Sequence, residues 1–291
     1  MADSKDETSW YEWYQSFDKS HSPEARQQWY SDAAQAYRWA RPRYPDPLID
    51  QVIRKAGLSS GSSILEIGCG PGIATAAFAA RGLAVQAVEP SAAACELAQQ
   101  SCESYPEVAI ANTTFEAFEL GDQQFDAVLA ATSFHWVSGE VACQKSAAAL
   151  KPGGALILLW ATPPQPDEDL CQHLQPVYEK YQLDQKIRYQ WHGQDYYQTN
   201  FDRFAQIVEE SGWFERSEVA IEQHQSRYSV EKYLSLLSTL SDYIALDEQL
   251  RKNLLADLST QLEEKLKGAD MLLTHWFASQ VAPLKDPSPL K

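Results

Sequence analysis

The residues Ile64-Leu65-Glu66-Ile67 form an apolar run interrupted by one carboxylate, and they lead into Gly68-Cys69-Gly70-Pro71-Gly72, three glycines at alternate positions. The small-residue run Ile73 to Ala80 comes next and reads as a helix. A strand that ends in glycines and feeds a helix lets the backbone approach a ligand closely and aims free N–H groups at it, so this is a nucleotide-cofactor loop. A dinucleotide fingerprint would need glycine at position 73 for close helix–strand packing, and Ile73 stands there. A second acid, Glu89, ends the buried run Leu83 to Val88, where a carboxylate can accept both ribose hydroxyls of a nucleotide. Glu89 therefore points to a ribose and not to a reaction. One imidazole, His135, lies beyond the apolar run Phe125 to Ala131; it titrates near neutral pH and is the candidate general base, with pocket wall as its alternative role.

The elements that must carry these groups alternate regularly. Asp46 opens a helix that ends near Gly57, and strands are expected at Ser63–Ile67, Ala84–Val88, Val108–Asn112, Phe125–Ala131 and Ala155–Trp160, with helices at Ser91–Ser104 and from about Glu140 to Leu150. Buried apolar strands separated by helices imply parallel β-α-β units with right-handed crossovers, hence a doubly wound α/β sheet with its ligand at the carboxyl ends of the strands. Two segments fall outside that core. Residues 162–200 are polar and rich in Gln, Tyr and Pro, and read as an inserted cap before a helix Phe201–Glu210; Arg188, His192, Tyr196 and Tyr197 within or beside it are candidates to line an acceptor pocket. Residues 230–268 carry apolar positions at helical spacing, Tyr233 to Ile244 and Leu250 to Leu262, and predict two amphipathic helices. Their flanks, Glu215–Tyr228 and Met271–Ala282, read as strands six and seven, so the helices interrupt a closing antiparallel hairpin.

Composition narrows the partners. The chain has 291 residues, 44% of them apolar, with 24 Lys and Arg against 40 Asp and Glu and a formal charge of −16. No basic stripe is visible, which disfavours nucleic acid and anionic membrane surfaces and favours a small molecule. No apolar run approaches a membrane span, and the cysteines, five in number and without C-x-x-C spacing, indicate neither a disulfide framework nor a metal site. A cytoplasmic protein, monomeric or weakly dimeric, is the expectation.

The order Glu66-x-Gly68-x-Gly70-x-Gly72 resembles motif I of the class I S-adenosylmethionine (SAM)-dependent methyltransferases, and within them the methyltransferase type 11 or trans-aconitate methyltransferase-like group. The resemblance covers residues from about 28 to 160. It implies a Rossmann-like, seven-stranded, mostly parallel sheet with helical cap insertions, and a methyltransferase domain over residues 45–291. It implies further that Glu66, Gly68, Cys69, Gly70 and Gly72 surround the methionine and ribose parts of SAM, that Glu89 and Pro90 hold the ribose, and that Ala131 at the end of strand four faces the methyl group. Thr114 and Phe115 occupy the place where the family surrounds adenine; the family pattern has Asp where this chain has Thr114, which leaves a hydroxyl and the Phe115 backbone for that edge. The spacing Tyr37-x-x-x-Arg41-Pro42 resembles the segment that folds over SAM, so residues 1–44 are expected to be a helical lid with Arg41 paired to the methionyl carboxylate.

The activity that the resemblance implies is methyl transfer from SAM, leaving S-adenosylhomocysteine (SAH), to a small organic acid or natural product, by O-methylation. The Asn/Asp-Pro-Pro-aromatic motif of enzymes that methylate the exocyclic amino groups of bases is missing after strand four. C-methylation, a catalytically silent SAM-binding protein that recruits a partner through its helical insert, and a nicotinamide-dependent oxidoreductase remain open, as does a carboxyl methyltransferase of carrier-bound malonate.

Overall fold

Buried runs of Ile, Leu, Val and Ala assemble the sheet, whose strands are β1 (Ser63–Ile67), β2 (Ala84–Val88), β3 (Val108–Ala111), β4 (Phe125–Ala131), β5 (Leu150–Ala161), β6 (Ala220–Tyr228) and β7 (Met271–Pro283). The computed structural model describes residues 23–122, 124–183 and 191–286. Strand order is β3-β2-β1-β4-β5-β7-β6. The first five strands pair in parallel, and β7 pairs antiparallel with both β5 and β6. The doubly wound, mostly parallel seven-stranded sheet expected from the sequence is therefore present. The order reverses at β1, so the ends of β1 and β4 diverge into a crevice at that switch point.

Helices α1 (Pro23–Ala40), α2 (Asp46–Lys55), α3 (Ile73–Ala79), α4 (Ala92–Ser101) and α5 (Gly139–Ala149) serve the parallel half, and α6 (Glu168–Lys180) and α7 (Gln194–Glu210) come after β5. Helices α8 (Val230–Leu237), α9 (Ser241–Ile244) and α10 (Glu248–Leu266) make the late insert, three where two were expected. Short polar side chains start several of them: Ser91 accepts from Ala94 N–H at 3.2 Å, Asp167 from Leu170 N–H at 2.9 Å, and Asp247 from Gln249 N–H at 2.9 Å.

Cores lie on the two faces of the sheet. One packs Ile49, Val52, Phe78 and Ala98 from helices against Ile64, Val85 and Leu129; another packs Phe134, Ala142, Phe201 and Phe204 against Leu156, Leu158 and Trp160. A further cluster joins Leu170, Leu174 and Tyr178 of α6 to Tyr233, Leu237, Leu254 and Leu258 of the insert, with Ala40 of α1 and Met271 of β7. Residues 162–183 are thus not the polar excursion expected. Leu170, Leu174, Val177 and Tyr178 form one apolar face, and α6 is part of a packed helical module at the edge of the sheet. Helix α7 likewise begins at Gln194 and not at Phe201.

Candidate functional site

The cofactor loop owes its shape to its glycines. Gly68, Gly70 and Gly72 have φ values of 62°, 53° and 82°, a region that a side chain makes costly. Their surroundings separate their roles. A Cβ on Gly70 would meet no protein atom within 4 Å, because that edge of the loop faces a cavity. A Cβ on Gly68 would lie 2.9 Å from Ser133 Cβ, and the Ser133 hydroxyl donates to the Ile67 carbonyl, so the segment after β4 packs closely on the start of the loop. A Cβ on Gly72 would lie 3.0 Å from Ala98 Cα. Gly72 is therefore a correction to the sequence reading: it does not line the cavity, and its glycine serves the packing of α3 against α4.

The cavity, about 500 Å³, opens over the carboxyl ends of β1, β2 and β4. The other proposed cofactor residues line it: Glu66, Gly68, Cys69 and Gly70 from the loop; Glu89 and Pro90 from the end of β2; Thr114, Phe115 and Ala131 beyond β3 and β4; and Tyr37 and Arg41 from the N-terminal segment. Glu89 accepts from Gly70 N–H at 2.9 Å through one oxygen and from Ser91 N–H at 2.8 Å through the other, which fixes the carboxylate and leaves each oxygen a second lone pair. Glu66 accepts from the Thr75 hydroxyl at 2.6 Å, and its Oε1 is buried without a hydrogen-bond partner. Burial pushes its pKa up to about 7, opposed by the Thr75 bond and reinforced by the charge of Glu89. Burial also raises Glu89, against the pull of the two N–H groups. The Thr114 hydroxyl accepts from Ala117 N–H at 3.2 Å and so caps that turn.

His135 requires a correction. It lies in a 3₁₀ turn, Phe134–Trp136, that turns its ring away from the cavity wall and stacks it on Trp160, centroids 5.6 Å apart. Burial first, and the Arg41 charge second, lower its pKa to about 3. The ring is half-buried against Trp160 and is not among the residues that line the cavity. The acceptor-pocket candidates also lie elsewhere. His192 stacks on Tyr196 at 4.0 Å and Tyr197 packs on Trp276, none of the three facing the cavity; Arg188 lies outside the described residues.

Among the lining residues not proposed as cofactor contacts are Tyr44, Thr132, Ser133 and Trp136, of which the Pro-framed Tyr44 offered a signal beside Arg41. The Tyr44 hydroxyl lies 2.8 Å from Thr132 Oγ1. Helix α1 is docked over the site: Ser31 bonds Ser91 at 2.8 Å, Arg38 bonds Gln100 at 3.0 Å, and the Tyr228 hydroxyl donates to the Ala40 carbonyl at 2.6 Å.

A carboxylate fixed at the end of the second strand, a glycine loop facing open space and a buried unpartnered carboxylate oxygen fit a nucleoside that carries positive charge. Residues 64–154 match the family model described as a methyltransferase domain. The chain contains a class I, SAM-dependent methyltransferase domain. Relatives of this methyltransferase domain include an uncharacterized methyltransferase of Mycobacterium tuberculosis, 35% identical over 133 residues, 46% of this chain and 52% of that protein. An uncharacterized methyltransferase-like protein of Schizosaccharomyces pombe is 33% identical over 128 residues, 43% of this chain and 48% of that one. The chain thus spans about half the length of the curated relatives it matches. Among solved structures, a protein of Anaeromyxobacter dehalogenans assigned as a type II methyltransferase superposes with a TM-score of 0.60 at 20% identity, covering 84% of this chain and 97% of that one. The phosphoethanolamine N-methyltransferase 2 of Haemonchus contortus, solved with phosphomonomethylethanolamine and SAH, has a TM-score of 0.51 at 17% identity, covering 90% and 59%. These structures show that the methyltransferase fold is shared. Among the described residues no helix is long and apolar enough to cross a membrane.

Proposed function

We propose that the protein transfers a methyl group from SAM to the oxygen of a small organic acid or natural product. The observation that carries this reading is the Glu89 carboxylate, held by Gly70 and Ser91 N–H groups at the rim of a cavity whose floor is the glycine loop. In it Glu89 accepts the ribose hydroxyls, Glu66 favours the cationic methionyl end, Arg41 pairs with the methionyl carboxylate, and Thr114 and Phe115 flank the adenine. When bound, SAM supplies an electrophilic methyl: the S–CH₃ bond breaks with its electron pair left on sulfur as the acceptor oxygen bonds to carbon. The chain's own part is to orient the acceptor and exclude water. His135 is not among the residues that line the cavity, and a carboxylate acceptor needs no base because it is already ionised. Residues 23–44 act as the lid in this reading, and residues 1–22 of the expected lid lie outside the described residues.

The test is calorimetric titration with SAH and with NAD, and then methyl transfer from labelled SAM to a panel of small acids. SAH is expected to bind and NAD not to. Glu89→Ala should weaken SAH by roughly 2–4 kcal/mol, the loss of two charge-assisted bonds discounted for water. Tight NAD binding, or SAH binding that is indifferent to Glu89→Ala, would remove the proposal. Binding of SAH without transfer to any acid would leave a silent SAM-binding protein.

A further inference from the structure

The parallel half of the sheet divides the cavity. Its β1–β2–β3 end carries the glycine loop, Glu89 and Thr114; its β4–β5 end carries Thr132, Ala161 and, reaching over from the N-terminal segment, Tyr44. Thr132 is unusual there. Its φ is 57°, a region that glycine and asparagine visit and β-branched residues avoid. The surroundings hold it: its N–H donates to the Leu159 carbonyl at 2.7 Å, and its hydroxyl accepts from Ala161 N–H at 3.0 Å while lying 2.8 Å from the Tyr44 hydroxyl. Tyr44 is held in turn by Pro42 and Pro45 in the chain and by Phe277, ring centroids 5.6 Å apart. A backbone this unfavourable for threonine, kept in place by three neighbours, fixes one hydroxyl at the acceptor end of the site.

The direction of the hydrogen bonds gives the chemistry. With Ala161 N–H occupying one lone pair of Thr132 Oγ1, the Thr132 proton can turn to the Tyr44 oxygen, and the Tyr44 proton is then released toward the cavity. Tyr44 stays protonated throughout the neutral range, because burial raises its pKa far more than the Thr132 bond lowers it. A neutral, fixed O–H donor suits an oxygen anion and cannot serve as a base. Among the described residues lining the cavity, Arg41 is the one cation, and its charge reaches Tyr44.

We infer that the Tyr44–Thr132 hydroxyl pair is the acceptor-recognition element of this site, Tyr44 donating to a carboxylate oxygen of the acceptor and Thr132 positioning Tyr44. The inference rests on the methyl-transfer reading and names the acceptor class. The probes are malonate, succinate and benzoate, each beside its amide, titrated into the SAH-loaded protein. At least one carboxylate is expected to bind and its amide not to. Tyr44→Phe, which keeps the ring on Phe277, should weaken that carboxylate about 10-fold or more with SAH affinity unchanged. Thr132→Gly removes the hydroxyl at a φ that glycine adopts freely and should behave like Tyr44→Phe, whereas Thr132→Ser should restore binding. If SAH binds but no carboxylate does, or if Tyr44→Phe binds the probe as wild type does, the inference fails while the methyl-transfer reading stands. If Thr132→Gly binds the probe normally, or Thr132→Ser does not restore it, the role given to Thr132 is overturned. Failure of SAH to bind the wild-type protein would sink both readings.

Discussion

Arg41 and Thr239 are joined twice: Arg41 Nε donates to the Thr239 hydroxyl at 2.9 Å, and Nη2 donates to the Thr239 carbonyl at 3.1 Å. Thr239 is buried in the insert, between α8 and α9, so a residue of the late helical module sets the guanidinium that faces the cofactor cavity. Thr239→Val keeps the shape and removes one acceptor. We expect SAH affinity to fall roughly fivefold to tenfold, the worth of one charged hydrogen bond, with Thr239→Ser restoring it. Equal affinities by calorimetry would show that Arg41 is not set from the insert.

Two glycines of one loop should fail in different ways. Gly70→Ala is expected to fold with a loss of about 1–2 kcal/mol from its left-handed backbone, and to lose SAH binding because the methyl enters the cavity. Gly72→Ala bears the same strain and a contact with Ala98 Cα as well, so its urea midpoint should fall further. The reverse ranking of stabilities would contradict the assignment of Gly72 to packing.

Glu66 makes the ligand-free protein less stable as pH rises. Its carboxyl titrates near 7 in the fold against an ordinary value of 4.5. Below about pH 4.5 it is protonated in both states. Between 4.5 and 7 the unfolded chain ionises first and is favoured, and above 7 the penalty is complete. The loss is at most about 3 kcal/mol, at roughly 1.4 kcal/mol per pKa unit. Urea midpoints of wild type and Glu66→Gln, measured from pH 4 to pH 8, should therefore diverge as pH rises, with the Gln variant the more stable above 7. Parallel curves would refute the buried carboxyl's role.

His135→Phe should leave turnover within about threefold and the pH profile unchanged, because the ring packs on Trp160 and does not face the site. His135→Ala should destabilise by about 1–3 kcal/mol through lost packing. A drop of 10²-fold or more in the Phe variant, with normal SAH affinity, would return the histidine to the chemistry.

The parallel half of the sheet was legible because its physics is local. Buried parallel strands read as unbroken apolar runs, and Glu66, Gly70 and Glu89 sit at strand ends whose direction the pattern gives. The same spacing could not say which glycine touches a ligand and which a helix; that depends on Ala98, far along the chain. His135 comes after β4 as a pocket residue would, yet the 3₁₀ turn sets its ring against Trp160. Leu170, Leu174, Val177 and Tyr178 carry a helical period, masked by the surrounding Gln and Pro, including Pro176 inside α6. Tyr44 and Thr132 meet through tertiary structure, with no trace in local sequence.

Tyr228 and Met271 are register partners at the open end of the β6–β7 pair. The polypeptide between them departs and returns at a single point, so its length places little demand on the sheet, since the entropy of closing a loop grows only slowly with the residues in it. Such a joint works as a cassette. The segment that holds Arg41 can change in length at this seam with the β-strand registry preserved, so long as its apolar face still packs on α1 and α6.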